Sequence, residues 1–170
     1  VSKTIQKNKE IIKVFDPCYY IANAISETFC DLIIKEYSKK EVEKLAPYIG
    51  NDLRDNEIID LNIRNVQRVP VDPIKGIGAT LTATGFNVNH EYWQYNITHS
   101  NQCEFLMYEP NGKYEAHQDT VHSSSNETRK LTLLAILNDD FEGGQFYIMD
   151  SGVKFYPYQK KGTILIFPSF

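Results

Sequence analysis

The sequence predicts an α+β domain, mainly β in its second half, with N-terminal helices supporting a β-sandwich or barrel. Five short β-rich runs at 103–108, 131–137, 145–149, 153–158 and 163–167 carry the first part of that prediction. Turn chemistry separates them at Glu109-Pro110-Asn111-Gly112, 138–144, Asp150-Ser151-Gly152 and Lys160-Lys161-Gly162. The first half, in contrast, carries the clearest helical spacing of the chain.

That helix is expected over 26–40. Ser26 suits an N-cap, Glu27 a first turn, and Phe29, Leu32, Ile33 and Tyr37 recur at helical intervals. Lys35, Lys39 and Lys40 suit its negative pole. Before it, Val14-Phe15-Asp16-Pro17 and 18–22 read as an extended entry strand. From 46 to 60, Pro47, Gly50 and many charges point to a surface helix or loop. Residues 62–71 read as extended, ending at Pro70 and Pro73. Gly76 and Gly78 then break the chain before a second helical or irregular stretch. Around Trp93, the rough alternation of Tyr92, Trp93, Tyr95 and Ile97 suggests a strand or its approach. The Glu109–Gly112 turn, with Pro second and Gly fourth, reads as type I.

Composition bounds the function. The chain has 170 residues, 42% hydrophobic and 24% charged, a balance that suits one globular domain over 1–170 and not disorder. A net charge of −4 argues against a nucleic-acid partner. The longest apolar runs fall far short of a membrane span. The polar, Lys-rich opening lacks the apolar core of a signal peptide, which suggests a cytoplasmic protein. Cys18, Cys30 and Cys103 are odd in number and form no CxxC pair, so reduced thiols are expected.

His117-Gln118-Asp119 carries the chemistry. On an extended segment, residues i and i+2 project from the same face, so an imidazole and a carboxylate would point together. Completed by another His, they would form a two-His-one-carboxylate facial triad, the ligand set of non-haem Fe(II) oxygenases. Three protein ligands on one face leave positions open for cosubstrate and oxygen. By itself the tripeptide is a weak signal, and a surface His beside a solvated Asp is its more common meaning.

The surrounding stretch adds specificity. Residues 103–119, Cys-Glu-Phe-Leu-Met-Tyr-Glu-Pro-Asn-Gly-Lys-Tyr-Glu-Ala-His-Gln-Asp, resemble the metal-binding stretch of prolyl 4-hydroxylase-like 2-oxoglutarate/Fe(II) dioxygenases. Tyr108 stands nine residues before His117 and Tyr114 three before it, as in the family pattern. Downstream, 129–138 resembles the family's next core strand and Phe141-Glu142-Gly143-Gly144-Gln145-Phe146 its Glu-Gly-Gly turn. Residues 161–169 resemble the strand that leads to the second His. The resemblance covers about 100–170 strongly and the 26–40 helix loosely.

It implies a double-stranded β-helix, or jelly roll, with residues 1–100 as N-terminal support and 101–170 as its core. It further implies Fe(II) and 2-oxoglutarate as cofactor and cosubstrate, with ascorbate as an accessory, and hydroxylation of prolyl residues in a peptide or protein. His117 and Asp119 would be iron ligands. Tyr108 would bind the distal carboxylate of 2-oxoglutarate, and Tyr114, the candidate catalytic residue, would line the substrate side. In the family the second His follows the Phe-Pro-Ser segment, and a basic residue further on pairs with 2-oxoglutarate. The chain begins at Val1 and stops at Phe170 directly after an apolar strand, as a core cut before its last strand would. Gln145 also stands where the family has an acidic residue.

His122 is near in sequence but has the opposite parity from His117 and Asp119. His90 and His99 flank the Trp93 segment and read as ordinary core or surface histidines. Arg64, Arg68 and Arg129 could grip a carboxylate, though surface or sheet-edge ion pairs suit them better. Trp93, Tyr92 and Tyr95 fit an N-terminal core cluster better than a peptide groove. Two other functions stay open: a non-catalytic jelly-roll binding module with an incomplete metal site, and a related oxygenase acting on a small molecule or nucleobase.

Overall fold

A computed structural model describes residues 11–15, 18–39, 48–49, 58–59, 63–100, 103–120 and 128–170. Its central feature is a four-stranded antiparallel sheet of β1 (Ile11–Phe15), β2 (Cys18–Ile21), β12 (Ile164–Pro168) and β9 (Leu131–Ala135), in that order. The innermost position of β12 explains its composition. Ile164, Leu165 and Ile166 are at most 1% exposed, so both faces of the strand are covered and an unbroken apolar run replaces alternation. Fully burying each such side chain contributes roughly 1.5–3 kcal/mol.

Helix α1 (Glu27–Tyr37) forms where its cap and spacing predict. The Ser26 hydroxyl accepts a hydrogen bond from the Phe29 amide at 3.3 Å. The face that enters the core is Cys30, Ile33 and Tyr37, whereas Phe29 and Leu32 lie exposed on its flank. Tyr37 stacks on Phe105 with centroids 5.5 Å apart, which ties the helix to β7 (Cys103–Met107). Helix α2 (Gly76–Val88) starts at the glycines expected to break the chain, and buries Ile77 and Val88.

The Trp93 segment is not a strand. α2 runs on into one π-helical turn, Asn89–Trp93, closed by the Gln94 amide on the Asn89 carbonyl at 2.6 Å. The Asn89 side chain locks this ending, bonding the Tyr95 carbonyl at 2.8 Å and its amide at 3.0 Å. A buried side chain thereby satisfies backbone groups that a strand partner would have taken. The aromatic residues form the expected cluster: Trp93 packs edge-on against Tyr19 and parallel to Tyr95. Where a surface helix or loop was expected over 46–60, β3 (Tyr48–Ile49) pairs with β4 (Ile58–Ile59); the rest lies outside the described residues.

A long two-stranded ribbon positions the candidate site. β5 (Arg64–Asn65) and β6 (Gln67–Val71) run antiparallel to β8 (Lys113–Tyr114) and β7. Its far turn closes with the Gly112 amide on the Glu109 carbonyl at 2.7 Å. Asn111, at φ +69°, makes this turn type II and not type I. A Cβ on Gly112 would lie 2.8 Å from the Glu109 carbonyl oxygen and 3.1 Å from that of Asn65, so the closure of the turn, with β5 close by, calls for glycine there. The remaining strands are shorter than their apolar runs, with β10 (Ile148–Asp150) and β11 (Val153–Phe155) forming a separate hairpin. All three cysteines are free thiols; burial raises each, Cys18 to about 12. Among the described residues no helix is long and apolar enough to cross a membrane.

Candidate active site

β8 delivers Tyr114, and the chain then leaves the ribbon in an irregular segment that carries His117 and Asp119. The segment is not a strand, yet it brings the two side chains together. His117 Nε2 lies 2.9 Å from Asp119 Oδ1, and His117 Nδ1 lies 2.8 Å from the Glu115 carbonyl oxygen. Both ring nitrogens thus face acceptors, which favours the doubly protonated ring. Burial opposes that charge, but the bonds to Asp119 and Glu115 and the Asp119 charge outweigh it, so the His117 pKa is raised. For Asp119, burial likewise opposes ionisation. Hydrogen bonds from His117 and Thr132, with the charges of His117 and Arg129, prevail and hold its carboxyl below the usual range.

Neighbouring elements fix Asp119 from behind. Arg129 donates to the Asp119 carbonyl at 3.1 Å. Thr132 on β9 meets the buried Ser169 hydroxyl at 2.9 Å, and Thr120 donates to the Ser169 carbonyl at 2.8 Å. Thr132 and Ser169 gave no signal in the sequence, because they act only through the pairing of β9 with β12.

Tyr114 stacks on His117, with ring centroids 3.6 Å apart and planes 20° from parallel. Tyr108 is half open to solvent. Packing nevertheless raises the pKa of its hydroxyl, against the opposing pull of the Arg64 charge, so it stays a neutral donor. Of the arginines, Arg68 makes the expected sheet-edge ion pair, bonding both carboxylate oxygens of Glu104 across β6 and β7. Arg64 meets that expectation only in part: it reaches the same carboxylate at 4.0 Å, but it is buried, with its guanidinium over the Tyr114 ring.

Among the described residues no group of three His, Cys, Asp and Glu side chains gathers around one point. His90 and His99 are exposed and stand apart from the dyad, and His122 lies outside the described residues. A cavity of about 560 Å³ opens elsewhere, between Phe141, Tyr156 and Tyr158, away from His117.

The dyad fits a divalent metal. Metal–donor distances of about 2.1 Å set adjacent octahedral donors about 3 Å apart, and the Nε2–Oδ1 separation is 2.9 Å. The Nδ1 contact to a backbone carbonyl is the usual support of a metal-ligating imidazole, because it leaves the Nε2 lone pair for the metal. Imidazole plus carboxylate is also the donor chemistry of non-haem iron.

Residues 103–170 match the model of the 2OG-Fe(II) oxygenase superfamily. Fe(II) and 2-oxoglutarate are the metal and cosubstrate of that superfamily. In structure, the chain is similar to a Pseudomonas putida prolyl-4-hydroxylase, with a TM-score of 0.66 and 19% identity, covering 89% of this chain and 80% of that one. It is similar also to the viral collagen prolyl hydroxylase of Paramecium bursaria Chlorella virus-1 in its 2OG complex. There the TM-score is 0.61 at 19% identity, covering 92% of this chain and 81% of that one. Among curated proteins, no sequence match is found. Residues 103–170 thus match the 2OG-Fe(II) oxygenase superfamily, on a chain whose fold is similar to that of two prolyl hydroxylases.

Proposed function

We propose that this protein is an Fe(II)- and 2-oxoglutarate-dependent hydroxylase of prolyl residues in a peptide or protein, one oxygenase domain with a jelly-roll core. The observation that carries the reading is the convergence of His117 Nε2 and Asp119 Oδ1 at 2.9 Å. When bound, iron and 2-oxoglutarate supply the oxidative decarboxylation that couples O₂ to hydroxylation of an unactivated C–H bond.

The residues have separable tasks. His117 and Asp119 would hold the metal, giving up the hydrogen bond that now joins them. Thr132 and Arg129 keep Asp119 ionised and aimed. Tyr108, a neutral donor half open to solvent, receives the cosubstrate carboxylate with less desolvation than a buried cation would suffer. Tyr114 covers one side of the His117 ring and faces the substrate. The prolyl substrate itself is supported by the fold shared with prolyl hydroxylases.

The test is incubation with Fe(II), 2-oxoglutarate, O₂ and proline-containing peptides. Succinate release matched by peptide that has gained one oxygen at proline is expected. Succinate release with oxidation of another substrate class would retain the oxygenase and remove the prolyl assignment. Peptide binding without any 2-oxoglutarate consumption would favour a non-catalytic binding module.

A further inference from the structure

Arg64 and Tyr114 are direct partners across β5 and β8, so their side chains leave the same face of the ribbon. The Arg64 guanidinium carbon lies 4.4 Å from the Tyr114 ring centroid, and the His117 ring centroid lies 3.6 Å from it. One face of a six-membered ring cannot hold both groups at those distances. Tyr114 is therefore clasped between a guanidinium and an imidazole.

Arg64 is not explained by an ion pair. It is 8% exposed, yet its approach to Glu104 is 4.0 Å, at the outer limit, because Arg68 occupies both oxygens of that carboxylate. Its Nε has no hydrogen-bond partner among the described residues. The close contact of this buried cation is with the phenol ring, 4.4 Å from its guanidinium carbon, and a planar guanidinium can stack on such a ring where an ammonium cannot. His117, for its part, has an in-plane tether through Nδ1 to the Glu115 carbonyl. Such a hydrogen bond sets where the ring is held, and the stacked phenol sets the plane in which it lies.

We propose that Arg64 is a positioning residue, pressing the Tyr114 ring onto the His117 imidazole and so fixing the direction in which His117 Nε2 points. The inference rests on the reading of His117 as a metal ligand for its functional meaning, but the clasp can be tested in the metal-free protein. A partner that orients a ligating imidazole is worth about 10–100-fold in metal affinity.

The experiment follows the His117 imidazole C–H resonances by NMR and Mn(II) binding by titration. In the metal-free wild type the Tyr114 ring current moves those resonances upfield. Tyr114→Phe is expected to keep the shift and Tyr114→Leu to abolish it. Arg64→Met, similar in length but without plane or charge, is expected to lose much of the shift and to weaken Mn(II) binding about 10–100-fold. Arg64→Lys, which keeps the charge without the plane, is expected to follow Arg64→Met, and it decides the matter if Arg64→Met does not fold. Wild-type His117 resonances in the folded Arg64 variants would overturn the proposal. His117→Ala separates the two ideas: undiminished Mn(II) binding there removes the metal assignment and leaves the ring-current result standing by itself.

Discussion

His117 Nε2 and Asp119 Oδ1 sit 2.9 Å apart on a segment that pairs with no strand among the described residues. Their meeting depends on supports drawn from distant parts of the chain. Glu115 tethers the imidazole at its other nitrogen, while Thr132 and Arg129 hold the aspartate.

The metal-free dyad makes stability depend on pH in a defined way. His117 has a raised pKa, so its contribution is full below its unfolded value, near 6.5, and fades as pH rises through the folded value. Asp119 has a lowered pKa, so its contribution is present above its unfolded value, near 3.8, and is lost as pH falls through the folded one. The metal-free protein should draw most from the pair between those unfolded values. His117→Gln should flatten the alkaline side of that stability profile in denaturant titrations; an unchanged profile would show that the pair contributes nothing.

Metal affinity should run the other way. A metal must displace the shared proton, so binding should strengthen as pH rises through the His117 titration. Mn(II) titrations across that range would detect it, and a pH-independent affinity would argue for ligands elsewhere.

Tyr108→Phe should weaken 2-oxoglutarate binding while leaving metal affinity nearly unchanged. A hydrogen bond to a charged group is worth about 1.5–3 kcal/mol, and the half-exposed position of Tyr108 puts the effect at the lower end, about tenfold. Titration of the metal-loaded variant with 2-oxoglutarate measures it; an unchanged constant would reduce Tyr108 to wall packing.

Gly162→Ala should strongly destabilise the fold. Gly162 sits at φ +82°, and a Cβ there would lie 2.3 Å from the Ile25 carbonyl oxygen. The same residue accepts the Ile25 amide at 3.0 Å and donates to the Ile136 carbonyl at 2.8 Å, so it cannot simply move away. A loss of about 2–4 kcal/mol is expected by urea unfolding. Ser26→Ala, which removes only a helix cap, should cost about 1 kcal/mol, or about 2–4 °C in Tm.

The legible parts of the sequence were those governed by local rules. The Ser26 cap, the spacing of Ile33 and Tyr37, and the unbroken apolar run of β12 each declare their element within a few residues. His117 and Asp119 were equally local, two positions apart. What stayed hidden depends on long-range pairing. Arg64 acquires its place over Tyr114 only through a register joining residues fifty positions apart. Ser169 reaches the Asp119 region only through β9 beside β12. The Trp93 segment misled for a different reason: its aromatic spacing resembles a strand, whereas the Asn89 side chain closes it as a helical turn.

The proposed iron site makes both His117 and Asp119 indispensable to Fe(II) binding. Anaerobic calorimetric titration with Fe(II) in the presence of 2-oxoglutarate tests it directly, on the wild type, His117→Ala and Asp119→Ala. One Fe(II) per wild-type chain is expected, with a loss of more than about 100-fold in each variant and cooperative unfolding of the metal-free variants. Fe(II) binding at wild-type strength in either folded variant would contradict it.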